Sequence, residues 1–227
     1  MLTRIESFAD FFGLEGPARE LVRRRAGAAG ERAKGMTHQR DYEALAAVAL
    51  HVQPRRIFEI GTYLGVTSDF FLELLPACTV VSIAYVNPES TLTGAVSNNS
   101  DLAREKIGYR VHASRRNRYT QLYGNSHELV SGDLIEQFGC FDLVFVDGDH
   151  SRSGVAQDTV LAETILSASG AICWHDANPK EKYLDVRVFL EQELPLDAIA
   201  TTDDFTGGIA CWSAGVERRL QQQRGIA

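Results

Sequence analysis

The segment RRIFEIGTYLGVTSDFF, residues 55–71, decides the fold. Its apolar run from Ile57 to Ile60 reads as a short strand holding one acid, Glu59. The run then breaks into Gly61, three further residues and Gly65, after which a helical pattern begins. Strand, glycine-spaced turn and helix in that order form the unit of open parallel sheets. In such sheets ligands sit beyond the carboxyl ends of the strands, where a glycine turn lets the backbone approach them closely.

Outward from this unit, apolar and amphipathic runs alternate. TVVSIAYV (79–86), FDLVFVDG (141–148) and GAICWHD (170–176) read as further strands; RDYEALAAVALHV (40–52), TSDFFLELL (67–75) and GVAQDTVLAETILS (154–167) read as helices. Near-continuous apolar strands separated by helices predict an α/β, doubly wound, mostly parallel sheet covered on both faces. After a helix around YLDVRVFLEQEL (183–194), two last runs, LDAIATTD (196–203) and GGIACWSA (207–214), are joined by DFTG (204–207) as by a hairpin loop, so the sheet is expected to end in an antiparallel strand pair. Residues 1–36, with RRRAGAAGERAKG (23–35), are expected to form a helical N-terminal extension ending in a flexible joint, and residues 37–227 the main domain.

Composition narrows the function classes. With 227 residues and 44% hydrophobic content the chain suits one substantial domain. No apolar run reaches the roughly 18 residues of a membrane span, and acids at Glu6, Asp10 and Glu15 do not suit a signal peptide, so a cytoplasmic setting is expected. Cys78, Cys140, Cys173 and Cys211 are widely spaced, without a CxxC pair, and read as small buried residues rather than disulfide or zinc partners. A net charge of -7 argues against a nucleic-acid partner. The basic stretch YRVHASRRNR (109–118) reads as a solvated loop. The expected partner is a small molecule, and homo-oligomer formation is left open.

The spacing Gly61-x-x-x-Gly65, two residues after Glu59, is not the G-x-G-x-x-G of a pyrophosphate-binding turn. It resembles the first motif of the class I S-adenosylmethionine-dependent methyltransferases, in which the acid orders the loop around the cofactor's amino-acid end. FDLVFVDGDHSRSGVAQDTVLAETILSASGAICWHDA (141–177) resembles the second half of a bacterial group, including sugar and antibiotic O-methyltransferases, whose strands end in Asp-Gly-Asp-His and His-Asp. TQLYGNSHEL (120–129) is similar to the group's segment beside the adenine. The resemblance runs from about Tyr42 to Ser213. It implies a Rossmann-like sheet of seven strands with S-adenosyl-L-methionine lying along Glu59, Gly61, Thr62, Tyr63, Gly65, Ser68, Tyr85, Asn125, Ser126, Asp147, Asp149 and His150.

Two departures fall on the nucleoside side. The second strand should end in an acid for the ribose hydroxyls; Ala84 stands there, leaving Tyr85, Asn87 or Glu89 to replace it, and Asn125 stands where the group carries aspartate. A non-catalytic or regulatory cofactor-binding domain would fit these losses. A nicotinamide-dependent oxidoreductase would want the tighter glycine motif that is missing.

The chemistry is expected at the ends of the later strands. Asp147 and Asp149 follow one strand, and His175 and Asp176 its neighbour, so all converge on one sheet edge. Asp147, His175 and Asp176 are the candidate ligands for Mg2+ or another divalent metal; the resembling group uses acids matching Asp147 and Asp176, while Ala177 stands where a third ligand is common. An imidazole suits manganese, iron or zinc better than magnesium. His150 and His175 are the candidate catalytic bases. His38 is placed in a lid, and Trp174 in the core.

Overall fold

The computed structural model describes residues 2–34, 37–86, 102–178, 184–194, 199–202 and 207–224. Strand β1 is Leu2–Arg4, followed by helices α1 (Phe8–Phe11), α2 (Gly16–Ala33) and α3 (Gln39–Val52). Then come β2 (Arg56–Ile60), α4 (Val66–Leu74), β3 (Thr79–Ala84), β4 (Tyr119–Tyr123), α5 (Ser131–Phe138), β5 (Phe141–Val146), α6 (Arg152–Ile165) and β6 (Leu166–Trp174). The chain closes with α7 (Leu184–Gln192), β7 (Ile199–Thr202), β8 (Ile209–Ser213) and α8 (Ala214–Gln223).

Among the described residues eight strands form one sheet, ordered β1-β7-β8-β6-β5-β2-β3-β4. Strand β2 lies between β3 and β5, parallel to both, with Ile57 opposite Val80 and Leu143. Its alternation feeds two cores. Ile57 joins the core under α2, α3 and α4, whereas Phe58 and Ile60 join the one under α5, α6 and α7. Both faces are covered, which is why the strands read as near-continuous apolar runs. Strand β8 runs antiparallel to β6 and to β7, as expected of the terminal pair. The DFTG loop falls mostly outside the described residues, as do Asn87 and Glu89.

Two expectations are corrected. The sheet has eight strands rather than seven, because Leu2–Arg4 pairs in parallel with Ile199–Thr201 at the edge; three residues are too short a run for a periodicity to show. RRRAGAAGERAKG is helical through Ala33, as expected of the extension, and residues 35–36, where the joint is placed, lie outside the described residues. A helix-interior glycine costs about 1 kcal/mol relative to alanine, yet a Cβ at Gly30 would lie 3.1 Å from the Cβ of Gln39, so the bare position lets α3 start close against α2. Arg25 and Arg32 also bind Glu73 of α4. The basic stretch is a 3-10 turn, Ala113–Arg118, whose arginines hold the fold. Arg115 forks onto Asp69 at 2.8 and 2.9 Å. Arg118 donates to the carbonyls of Leu72, Leu75 and Cys78, at and just beyond the end of α4.

The turn after β2 is fixed by a close backbone approach. Gly61 has φ +103°, and a Cβ there would lie 1.8 Å from the carbonyl oxygen of Asp147. Gly61→Ala is expected to destabilise the protein by about 3 kcal/mol or more in denaturant titration, since backbone must move. Gly132→Ala, where a Cβ meets nothing within 4 Å, serves as the control and should be neutral or slightly stabilising. Equal midpoints for Gly61→Ala and wild type would contradict this packing.

Candidate functional site

A cavity of about 730 Å³ opens over the carboxyl ends of β2 to β6, within the roughly 300–1,000 Å³ usual for small-molecule sites. Its floor is the Gly61–Leu64 turn, the ends of β3 and β4, Asp147–His150, and His175 with Asp176; Thr37 and Tyr42 wall one side.

The glycine turn is held from below. The amides of Gly61 and Thr62 both donate to the carbonyl of Ile83, at 2.9 and 3.2 Å. Thr62 Oγ1 is 2.6 Å from Ser82 Oγ and accepts from Gln121 Nε2 at 2.9 Å. Gly65, with φ +82°, begins α4 without a side-chain cap, so that helix presents uncapped N–H groups near the cavity. Glu59 answers the puzzle of an acid in a strand. Buried at 1% exposure, it accepts from Ser82 Oγ at 2.6 Å and from Ser68 Oγ, tying β2 to β3 and α4 beneath the turn. Ser68 and Glu59 thus support the turn without lining the cavity, whereas Thr62 and Tyr63 line it. Burial pushes the Glu59 carboxyl up to about 7 against the two hydroxyls, with the charge of Asp147 adding to the rise.

At the nucleoside side, Ala84 and Tyr85 line the cavity, and Tyr85 is 54% exposed. Asn125 accepts from the amide of His127 at 3.1 Å. Ser126 donates to Asp158 of α6 at 2.6 Å. Asp158, missed in the sequence, is a buried acid behind this turn, raised in pKa by burial. Its place on the stripe formed by Val155, Leu161, Ala162 and Ile165 was the available signal.

The strand-end acids and histidines do converge. His175 Nδ1 lies 3.2 Å from Asp147 and 3.3 Å from Asp176, and His150 Nε2 lies 2.7 Å from Asp176 and 3.5 Å from Asp147. One ligand atom from each of Asp147, His175 and Asp176 can be chosen so that all lie within 4.8 Å of one another. Asp149 instead accepts from the amide and hydroxyl of Ser151 and shapes the entry to α6.

The structure adds Asp41 to this group. Its Oδ2 lies 3.4 Å from His175 Nε2, and its Oδ1 accepts from the amide of Gly208 at 3.1 Å. Asp41 is the third helical residue of α3 and also caps the amide of His38, so the His-x-x-Asp of THQRDY was a capping box visible in sequence. His38 therefore starts a helix rather than forming a lid, and Trp174 is fully buried as expected. Burial lowers the affinity of His150 for its proton, but Asp147 and Asp176 outweigh burial and carry it up to about 9. His175 is likewise raised well above its ordinary value, burial opposing and Asp147, Asp176 and Asp41 prevailing. Asp147 and Asp176 are held low by the same histidines despite burial.

The sequence matches the family described as a methyltransferase domain over residues 58–177, more than half of the chain and the span from β2 to just past His175 and Asp176. The chain belongs to this methyltransferase family. Solved structures agree on the fold. The Podospora anserina methyltransferase PaMTH1, bound to S-adenosylhomocysteine, aligns with TM-score 0.55 and 17% identity over 88% of each chain. A Bacillus cereus O-methyltransferase in complex with S-adenosylhomocysteine aligns with TM-score 0.50 and 18% identity over 90% of this chain and 94% of that one. MycE, a methyltransferase of the mycinamycin pathway in complex with magnesium, S-adenosylhomocysteine and mycinamycin VI, aligns with TM-score 0.52 and 14% identity over 83% of this chain and 53% of its own. A search of curated proteins finds no match.

Glu59 gives this methyltransferase a pH signature. Below pH 4.5 the carboxyl is protonated in both states; between 4.5 and about 7 the unfolded chain releases its proton while the native state keeps it. Stability therefore falls as pH rises through that window, by about 3 kcal/mol at roughly 1.4 kcal/mol per pH unit. Glu59→Gln is expected to remove this slope in denaturation series from pH 4.5 to 8. Equal slopes in both proteins would show that Glu59 titrates normally.

Proposed function

We propose that this methyltransferase moves the methyl group of S-adenosylmethionine to an oxygen of a small polyhydroxylated acceptor, assisted by a divalent cation. The observation that carries the reading is one cavity with the Gly61–Gly65 turn at one end and the Asp147, His150, His175 and Asp176 cluster at the other. The turn suits the cofactor because Gly61, Thr62, Tyr63 and Leu64 line the cavity, and the neighbouring structures that hold S-adenosylhomocysteine share the fold. The donor set suits a cation. Two carboxylates and one imidazole nitrogen approach each other, and Asp41 occupies the far nitrogen of His175, the arrangement that fixes a ligating histidine.

When bound, the cofactor supplies a methyl group already activated on sulfonium, and the cation a Lewis acid beside the acceptor hydroxyl. The protein's part is positioning and proton removal. Enclosed between Asp41, Asp147 and Asp176, His175 orients and ligates rather than acting as base. His150 and His175 both line the cavity, but His150 is the more open of the two, 19% against 6% exposed, and is the better base. It can act only when the charge of Asp147 and Asp176 is otherwise neutralised, because those carboxylates hold its proton up to about 9. Four unpaired cysteines favour a cytoplasmic setting.

Calorimetry separates the parts. S-adenosylhomocysteine should bind wild type and Asp176→Asn alike, and at about a hundredfold excess over its dissociation constant it should stabilise each by roughly 2.7 kcal/mol. Manganese should bind wild type and bind Asp176→Asn at least about tenfold more weakly, because the amide keeps one oxygen but loses the charge. Binding of NAD without S-adenosylhomocysteine would overturn the cofactor, and wild type silent to manganese and magnesium would overturn the cation site.

A further inference from the structure

We propose that Arg110 is the cation that receives the α-carboxylate of the cofactor's amino-acid end; this rests on the S-adenosylmethionine reading. Among the described residues lining the cavity, Arg110 is the one lysine or arginine. Its segment is stitched to the glycine turn rather than to the nucleoside side. The amide of Gly108 donates to the carbonyl of Tyr63 at 2.9 Å, and that of Arg110 to the carbonyl of Leu64 at 3.0 Å. A Cβ on Gly65 would fall 2.7 Å from Gly108 Cα, so the two backbones meet with no side chain between them.

The guanidinium is held in place. One terminal nitrogen donates to the carbonyl of Arg32 at the end of α2, and Nε donates to the Tyr109 hydroxyl at 3.0 Å. Its neighbours are spent otherwise: Arg115 on the carboxylate of Asp69, and Arg116 and Arg118 on backbone carbonyls. Among the described residues no carboxylate pairs with Arg110. A fixed guanidinium on a cavity wall, in a chain of net charge -7, with neutral oxygens as its protein partners, is set to meet an anionic group of the ligand. The carboxylate is the anionic group of the cofactor, and the glycine turn is where its amino-acid end is placed.

S-adenosylhomocysteine and 5′-methylthioadenosine share the adenine, ribose and thioether, but only the first carries the amino-acid end. Dissociation constants for both are to be measured by calorimetry on wild type, Arg110→Met and Arg110→Lys. Arg110→Met is expected to weaken S-adenosylhomocysteine by about tenfold to a hundredfold, the range of a hydrogen bond to a charged group, with Arg110→Lys between. Methylthioadenosine should stay unchanged. Unchanged S-adenosylhomocysteine affinity in Arg110→Met would overturn the assignment and leave the cation to the acceptor. Equal loss of both ligands would also overturn it, by showing that Arg110 only supports the loop. If wild type binds neither ligand, the cofactor reading fails and this one with it.

Discussion

The backbone carbonyl of Asp147 occupies the place where a side chain at residue 61 would begin. That exclusion brings the ends of β2 and β5 together, and the amide of Asp147 closes the join by donating to the carbonyl of Ile60 at 2.8 Å. The glycine turn and the acidic strand end therefore share one edge of the sheet. Everything chemical in the molecule is arranged around this join. Glu59 fastens the turn from below through Ser68 and Ser82, and β6, parallel to β5, carries His175 and Asp176 to the same edge.

The cluster at that edge is an electrostatic problem with two solutions. Asp41, Asp147 and Asp176 surround His150 and His175 with short polar distances and little solvent. Asp41 and Asp176 are buried and Asp147 is half-buried, which is costly unless positive charge accompanies them. Protons on the two imidazoles supply it in one state. In the proposed cation-bound state the cation would supply it instead, and the imidazoles could then be neutral. The same carboxylates thus govern whether His150 holds a proton, which would link the proposed base to the proposed cation site.

Much of this was legible in sequence because it is local. Glu59, Gly61 and Gly65 announce strand, turn and helix within seven residues, and the Asp147 and His175–Asp176 strand ends follow from apolar runs that stop in polar residues. What escaped depends on distant partners. Asp41 meets His175 across 134 positions, so its capping box showed a helix start and nothing of the site. Arg115, Arg116 and Arg118 looked like a solvated run because sequence does not reveal that the Asp69 carboxylate and backbone carbonyls of Gly108, Val111, Leu72, Leu75 and Cys78 lie beside them. Strand β1 acquires its structure from pairing with β7 rather than from its own three residues. Ala84 and Asn125 remain the departures from the resembling group, both on the cavity wall with Tyr85.

The most direct measurement is a crystal structure with S-adenosylhomocysteine and manganese present together. The account requires the amino-acid end of the cofactor over the Gly61–Gly65 turn, the nucleoside toward Ala84 and Asn125, and manganese, located by its anomalous signal, bonded to Asp147, His175 and Asp176. A cofactor bound elsewhere, or manganese absent from these three residues while the cofactor is in place, would contradict it.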